Sequence, residues 1–162
     1  MSKFPAKLKK VLDVSVLTFC GLALVLMVVT VTWQVFSRYF LNDPSSFTDE
    51  LSRYTMIWLG MLGASYLFGQ SGHLGISLIH NSLPERGSRA LRLFVNVLIL
   101  SFVSLAMLKG GIALMSKTMQ QYSPALNIPM AYVYLILPVS AVLIIVYLLI
   151  SMLDTASSES HQ

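Results

Sequence analysis

The sequence predicts an all-α integral membrane protein: four transmembrane helices, with a short interfacial amphipathic helix between the second and the third. Three observations carry that prediction. Of the 162 residues, 56% are hydrophobic and 11% charged, with a mean hydropathy of +0.73, whereas about a quarter of an ordinary soluble domain is charged. The apolar residues gather into four runs, about 11–40, 49–69, 93–115 and 130–153. Each has the roughly 20 residues a helix needs to cross a hydrocarbon core about 30 Å thick. The breaks between the runs hold turn formers and most of the charge. The whole chain, 1–162, is therefore expected to form one membrane domain.

Composition also narrows the function. The basic balance, with pI near 9.3, comes from the N-terminal end and the loops, as positive-inside bias produces. Basic-aromatic interleaving, zinc-type Cys/His spacing and a phosphate-cradling glycine loop are all missing from the sequence. Nucleic acid, a metal and an organic cofactor are thus not expected partners. The single cysteine, Cys20, lies in an apolar run and reads as a packing residue.

Run 11–40 follows Lys3, Lys7, Lys9 and Lys10. It outlasts the 7–15 residues of a signal-peptide core and reads as an uncleaved first span. At 1.5 Å per residue it would reach about 45 Å, so it must tilt or emerge from the bilayer. Trp33, Tyr39 and Phe40, with Arg38 among them, look like an interfacial belt at its far end. Asp13, near the basic end, is placed to pair with Lys9 or Lys10.

The stretch from Asn42 to Gly63 organises the rest. Pro44 and its polar neighbours make a turn. Ser46 with Asp49 fits a capping box. Asp49 and Glu50 fall in the first helical turn, where negative charge is favoured. Arg53, four residues after one and three after the other, is expected to meet both on one face. Gly60 and Ala64 form a small-xxx-small pair in line with Arg53 and Ile57, so this face is expected to pack on protein. Trp58 stands on an adjacent strip.

Residues 73–83 are weakly amphipathic, with His73, Ser77 and His80 on one helical face. Two turns separate the histidines, too far for one continuous helix to offer both to an ion. Past Pro84, Arg86, Arg89 and Arg92 form a stripe suited to anionic headgroups. Run 93–115 contains Lys109 before Gly110-Gly111, expected to snorkel to the far interface. Pro138 is expected to kink the fourth run. Counting cations, four lysines precede the first span and three arginines separate the second from the third, which places both termini in the cytoplasm.

The motifs Phe36-Ser37-Arg38-Tyr39, Asp49-Glu50-Leu51-Ser52-Arg53-Tyr54, Trp58-Leu59-Gly60-Met61-Leu62-Gly63-Ala64, and Gly72-His73-Leu74 with Leu83-Pro84 occur in this order. Together they resemble the small membrane subunit, the DctQ family, of tripartite ATP-independent periplasmic (TRAP) transporters. Phe47 stands where that family often has Trp, and Ser77 where it often has an acidic residue. The resemblance implies a bacterial inner-membrane scaffold, not an enzyme, bound to a large membrane subunit. That subunit would carry an organic acid, such as a sialic acid or a C4-dicarboxylate, with sodium. A periplasmic binding protein would deliver the substrate.

On this reading Asp49, Glu50, Arg53, Trp58, Gly60 and Ala64 would contact the large subunit or the binding protein. His73, Arg86, Arg89, Arg92 and Lys109 would lie among lipid headgroups or at the interface. The charged trio either locks the second helix to its neighbours or presents charge for docking. An alternative is a self-sufficient small homodimeric transporter of the multidrug type. Such a protein needs a carboxylate in mid-span, and the sequence has none there.

Overall fold

A computed structural model describes residues 3–70 and 85–159, which are helical apart from two turns and one isolated antiparallel bridge, Tyr122 to Pro129. Helix α1 covers Lys3–Phe40 and α2 covers Ser46–Gln70. The third rod is α3, Glu85–Phe102, then a π-helical segment, Val103–Lys109, then α4, Gly110–Thr118. The fourth is α5, Met130–Tyr134, followed by α6, Ile136–Glu159. The interfacial segment expected at 73–83, with His73, lies outside the described residues.

Among the described residues three stretches are long and apolar enough to cross a membrane: Lys7–Phe40, Phe94–Thr118 and Met130–Met152. The fourth expected span, in α2, has the length at 25 residues but a more polar composition. Its place in the fold accounts for that. The rods lie in an open row, α1 beside α2, α2 beside α6, and α6 beside the third rod, while α1 only grazes α6. Standing inside the row, α2 turns polar atoms onto protein: Ser65 is fully buried, and its hydroxyl donates to the Met61 carbonyl at 2.9 Å.

α1 meets α2 along a seam that composition does not reveal. Val16, Ala23, Thr30 and Ser37, each seven residues apart, are buried, and Asp13, Cys20, Met27 and Gln34 between them are half-buried. That alternation of three and four is a heptad seam, which brings two helices together at a shallow crossing angle. The seam side chains are mostly small or polar. Large side chains such as Leu22, Val25, Val29 and Trp33 point outward and are exposed.

The fourth rod breaks at Leu135, between α5 and α6. Pro138 has no N–H for the carbonyl four residues earlier, so the break falls upstream of the proline, which sits in the tolerated first turn of α6. Beside it, the third rod carries its π segment, and the Gly110 N–H donates to the Leu105 carbonyl five residues back. The two irregularities face each other. A Cβ on Gly111 would lie 2.9 Å from Pro138 Cδ and 3.0 Å from Leu137 Cβ. Gly111→Val is therefore expected to destabilise the protein by about 2 kcal/mol, read as a lower midpoint of thermal unfolding in detergent.

Candidate functional site

Two polar clamps hold the row, one at each end of α2. The outer clamp begins at the turn after α1. Asn42 takes a left-handed backbone (φ 53°), and the Asp43 N–H donates to the Ser37 carbonyl at 3.3 Å, which reverses the chain. Helix α2 starts at Ser46, so the preceding residue, Ser45, occupies the cap position. Its N–H donates to Ser37 Oγ at 3.4 Å and its carbonyl accepts the Thr48 hydroxyl at 3.0 Å, so these bonds stand in place of the capping box expected between Ser46 and Asp49.

The first turn of α2 then separates its two acids. Asp49 accepts from Gln34 Nε2 of α1 and from the Arg53 guanidinium, both at 2.9 Å. Glu50 turns the other way. Buried at 7% exposure, it accepts the Ala125 and Leu126 backbone N–H groups at 2.8 Å each, and the Tyr54 hydroxyl at 2.5 Å. The Met130 sulfur lies 3.3 Å from the same hydroxyl. Thus Arg53 meets Asp49 but not Glu50, and the expected three-residue cluster is two separate devices.

The loop that Glu50 grips is itself structured. Ser123 N–H donates to Ile128 O, Asn127 N–H to Ser123 O and Met130 N–H to Gln121 O, with Asn127 in the left-handed region (φ 53°). This arrangement turns the Ala125 and Leu126 N–H groups inward as a pair. A carboxylate is the side chain that can accept both and a hydroxyl as well. A cavity of about 360 Å³ opens beside it, lined by Ser46, Asp49, Glu50, Arg53, Pro124 and Ala125.

The inner clamp centres on Asp13. Its carboxylate accepts the Tyr147 hydroxyl of α6 at 2.8 Å and Gln70 Nε2 of α2 at 3.0 Å. Asp13 therefore joins three helices instead of pairing with Lys9 or Lys10. Tyr147 is 2% exposed, and Gly69 makes room for its ring, since a Cβ there would come within 2.5 Å of it. Asp13 to Gln34 along α1 and Asp49 to Gln70 along α2 are both twenty-one residues, so the clamps stand about 32 Å apart. A hydrocarbon core is about 30 Å thick.

The remaining predicted residues divide. Trp58 is half-buried and packs inside the chain, against the Val16/Leu62/Ile136 cluster, with Phe19 at a centroid distance of 6.0 Å. Gly60 and Ala64 are exposed, and nothing lies within 4 Å of a Cβ on Gly60. The close α2–α6 approach uses Ser65 and Ser140 instead, both fully buried. Arg86, Arg89 and Arg92 stand on α3, which starts at Glu85 and runs on into the span. Lys109 ends the π segment and is exposed. Sequence reading missed Gln34, Tyr54, Gly69, Gln70 and Tyr147. The available signal was that Gln34 and Gln70 are lone amides at the same interval from an acid.

The Arg53–Asp49 ion pair, with side chains 68% and 48% exposed, is the only one among the described residues. An exposed pair of this kind contributes less than about 1 kcal/mol. Arg53→Ala should leave thermal stability in detergent nearly unchanged, while Asp49→Ala, which also frees Gln34, should lower it measurably. Among the described residues no group of three or more His, Cys, Asp or Glu side chains gathers to hold a metal ion.

A row of helices, three of them long and apolar enough to cross a membrane among the described residues, joined by pairings such as Gln34 with Asp49 and Asp13 with Tyr147, defines an integral membrane protein. The match with known proteins agrees: the family model for the DctQ component of tripartite ATP-independent periplasmic transporters covers residues 27–157. The chain belongs to the DctQ family, and it is a transporter component, not an enzyme. A TRAP transporter small permease protein of Haemophilus influenzae is 29% identical over 156 residues, 96% of this chain and 94% of that one. The sialic acid TRAP transporter small permease protein SiaQ of Vibrio cholerae is 27% identical over 84 residues, 52% of this chain and 49% of that one. The isethionate TRAP transporter permease protein DctMQ of Oleidesulfovibrio alaskensis is 29% identical over 126 residues, which are 74% of this chain but 20% of that protein.

Proposed function

We propose that this chain is the small scaffold subunit of a TRAP secondary transporter, a four-span wall against which a large membrane subunit works. The observation that carries this reading is the open row clamped at both ends. Among the described residues α1 and the third rod lie apart, so the row does not close around an interior that polar groups could line as an anion pathway. The row is held instead at two levels one hydrocarbon thickness apart, as a rigid panel requires. Only 17% and 11% of the best membrane-spanning windows in α1 and the third rod are buried within the chain, against 44% for the fourth rod. The panel therefore leaves broad apolar surfaces for lipid and for a partner.

DctMQ supports the partner. The matched segment is a fifth of a much longer permease chain, so in that protein the small unit is covalently joined to a large one. The cargo would be an organic acid, a sialic acid or a C4-dicarboxylate, taken up with sodium after delivery by a periplasmic binding protein. Relatives of similar identity are named for sialic acid and for isethionate, which fits a wall that takes no part in choosing the substrate. The protein would sit in the bacterial inner membrane with both termini cytoplasmic. The outer clamp, the 119–129 loop and Arg53 would then face the periplasm, and Arg86, Arg89 and Arg92 the inner headgroups.

Purification of the tagged chain from its native membrane in mild detergent tests the proposal. One large polytopic protein is expected to co-purify at a fixed ratio. A lone homodimer that transports cations in liposomes would overturn it.

A further inference from the structure

We propose that Lys109 marks the face that packs on the large membrane subunit, and that its ammonium ion pairs there with a carboxylate buried in a helix of that subunit. The inference rests on the scaffold reading above and adds the contact chemistry. The apolar stretch of the third rod is Phe94–Thr118. Lys109 lies three residues past its centre, about 5 Å along the axis. Thr118 is about 14 Å away in one direction, and Arg92 about 25 Å in the other. A lysine stem reaches roughly 6 Å, which is short of either end.

The local geometry removes the usual escape. Side chains on a helix lean toward its N-terminus, which here is the inner end of the rod. In that direction Lys109 passes over Leu105, Phe102 and Leu98, which are 66%, 60% and 55% exposed. The stem would lie along bare hydrocarbon-facing surface. The ammonium ion has no ion-pair partner among the described residues. A charge in mid-span that faces lipid is expensive, and such residues almost always face protein or a water-filled cavity.

The surface around Lys109 suits a close helix. Ala106, Gly110 and Ala113 flank it and are all exposed. Small side chains allow backbones to approach, which brings a partner side chain within reach of the ammonium. A second copy of this chain is a poor occupant. Of the seven acidic residues, Asp43, Asp49, Glu50, Glu85, Asp154 and Glu159 lie at or beyond span ends, and Asp13, near the end of α1 opposite to the depth of Lys109, is engaged with Tyr147 and Gln70. None could meet Lys109 at its depth, so the carboxylate belongs to a different membrane chain.

The test uses the whole complex in its native membrane. A photo-crosslinking amino acid at Ala113 is expected to give one adduct with the large subunit. Lys109→Met, which suits an apolar helix, should reduce co-purification of that subunit at least tenfold, and Lys109→Arg should keep it within about twofold. The inference is overturned if Lys109→Met co-purifies like the natural chain, or if the Ala113 probe labels only phospholipid while the large subunit still co-purifies. In those cases the scaffold reading stands. If the natural chain captures no large subunit, both fall together.

Discussion

Replacing Gly69 with alanine is expected to destabilise the protein by about 2 kcal/mol, far more than the same change at Gly60. The new Cβ would lie 2.5 Å from Tyr147 Cδ1 and 2.6 Å from Cε1. The ring has little freedom to withdraw, because it is 2% exposed and its hydroxyl donates to Asp13 at 2.8 Å. Relief would require breaking the inner clamp or moving α6 off α2. Gly60→Ala meets nothing within 4 Å and should fold normally. The mechanism is checked by a double-substitution cycle in detergent. In a Tyr147→Ala background the Gly69→Ala change should lose most of its effect, since the clashing ring is gone. An undiminished penalty would show that the ring is not the cause.

Replacing Glu50 with alanine should have a comparable effect at the opposite face. It removes one carboxylate that satisfies two backbone N–H groups and a tyrosine hydroxyl. Buried donors left without acceptors cost more than the bonds themselves contributed. The expected result is a fall in melting temperature of about 5 °C or more. Amide hydrogen exchange at Ala125 and Leu126 should be at least tenfold faster. Glu50→Gln should be intermediate, because its amide oxygen can still accept an N–H while its NH₂ meets donors. Arg53→Ala separates this structural effect from a docking role. If it leaves exchange at Ala125 and Leu126 unchanged but lowers uptake, the exposed cation acts on a partner and Glu50 on the fold.

Much of the architecture was legible because a bilayer imposes it. A run such as 11–40 or 130–153 admits one solution in hydrocarbon, a helix that satisfies its own backbone, so helix positions and the break near Pro138 followed from composition and covalent geometry. The order of short motifs between Phe36 and Pro84 was enough to suggest the family. The site was less legible. Asp49, Glu50 and Arg53 stood out because charges are few, and helical spacing correctly allowed Asp49 and Arg53 to meet. The same spacing also allowed Glu50 to join them. Its actual partners are backbone N–H groups 75 and 76 residues away, which no local pattern encodes.

What the sequence determined by itself is therefore the local physics: helices where apolar runs occur, and turns at Asn42 and Pro44. What only the tertiary structure decided is which helix lies beside which. Within the chain the packing runs through Ser65, Gly69 and the heptad seam from Val16 to Ser37, while Gly60 and Ala64 stay exposed. The reason is that small residues permit close approach without choosing a partner. The choice comes from pairings between distant residues, Asp13 with Tyr147 and Gln70, Gln34 with Asp49, and Glu50 with the 125–126 backbone. Their geometry exists only once the row has formed.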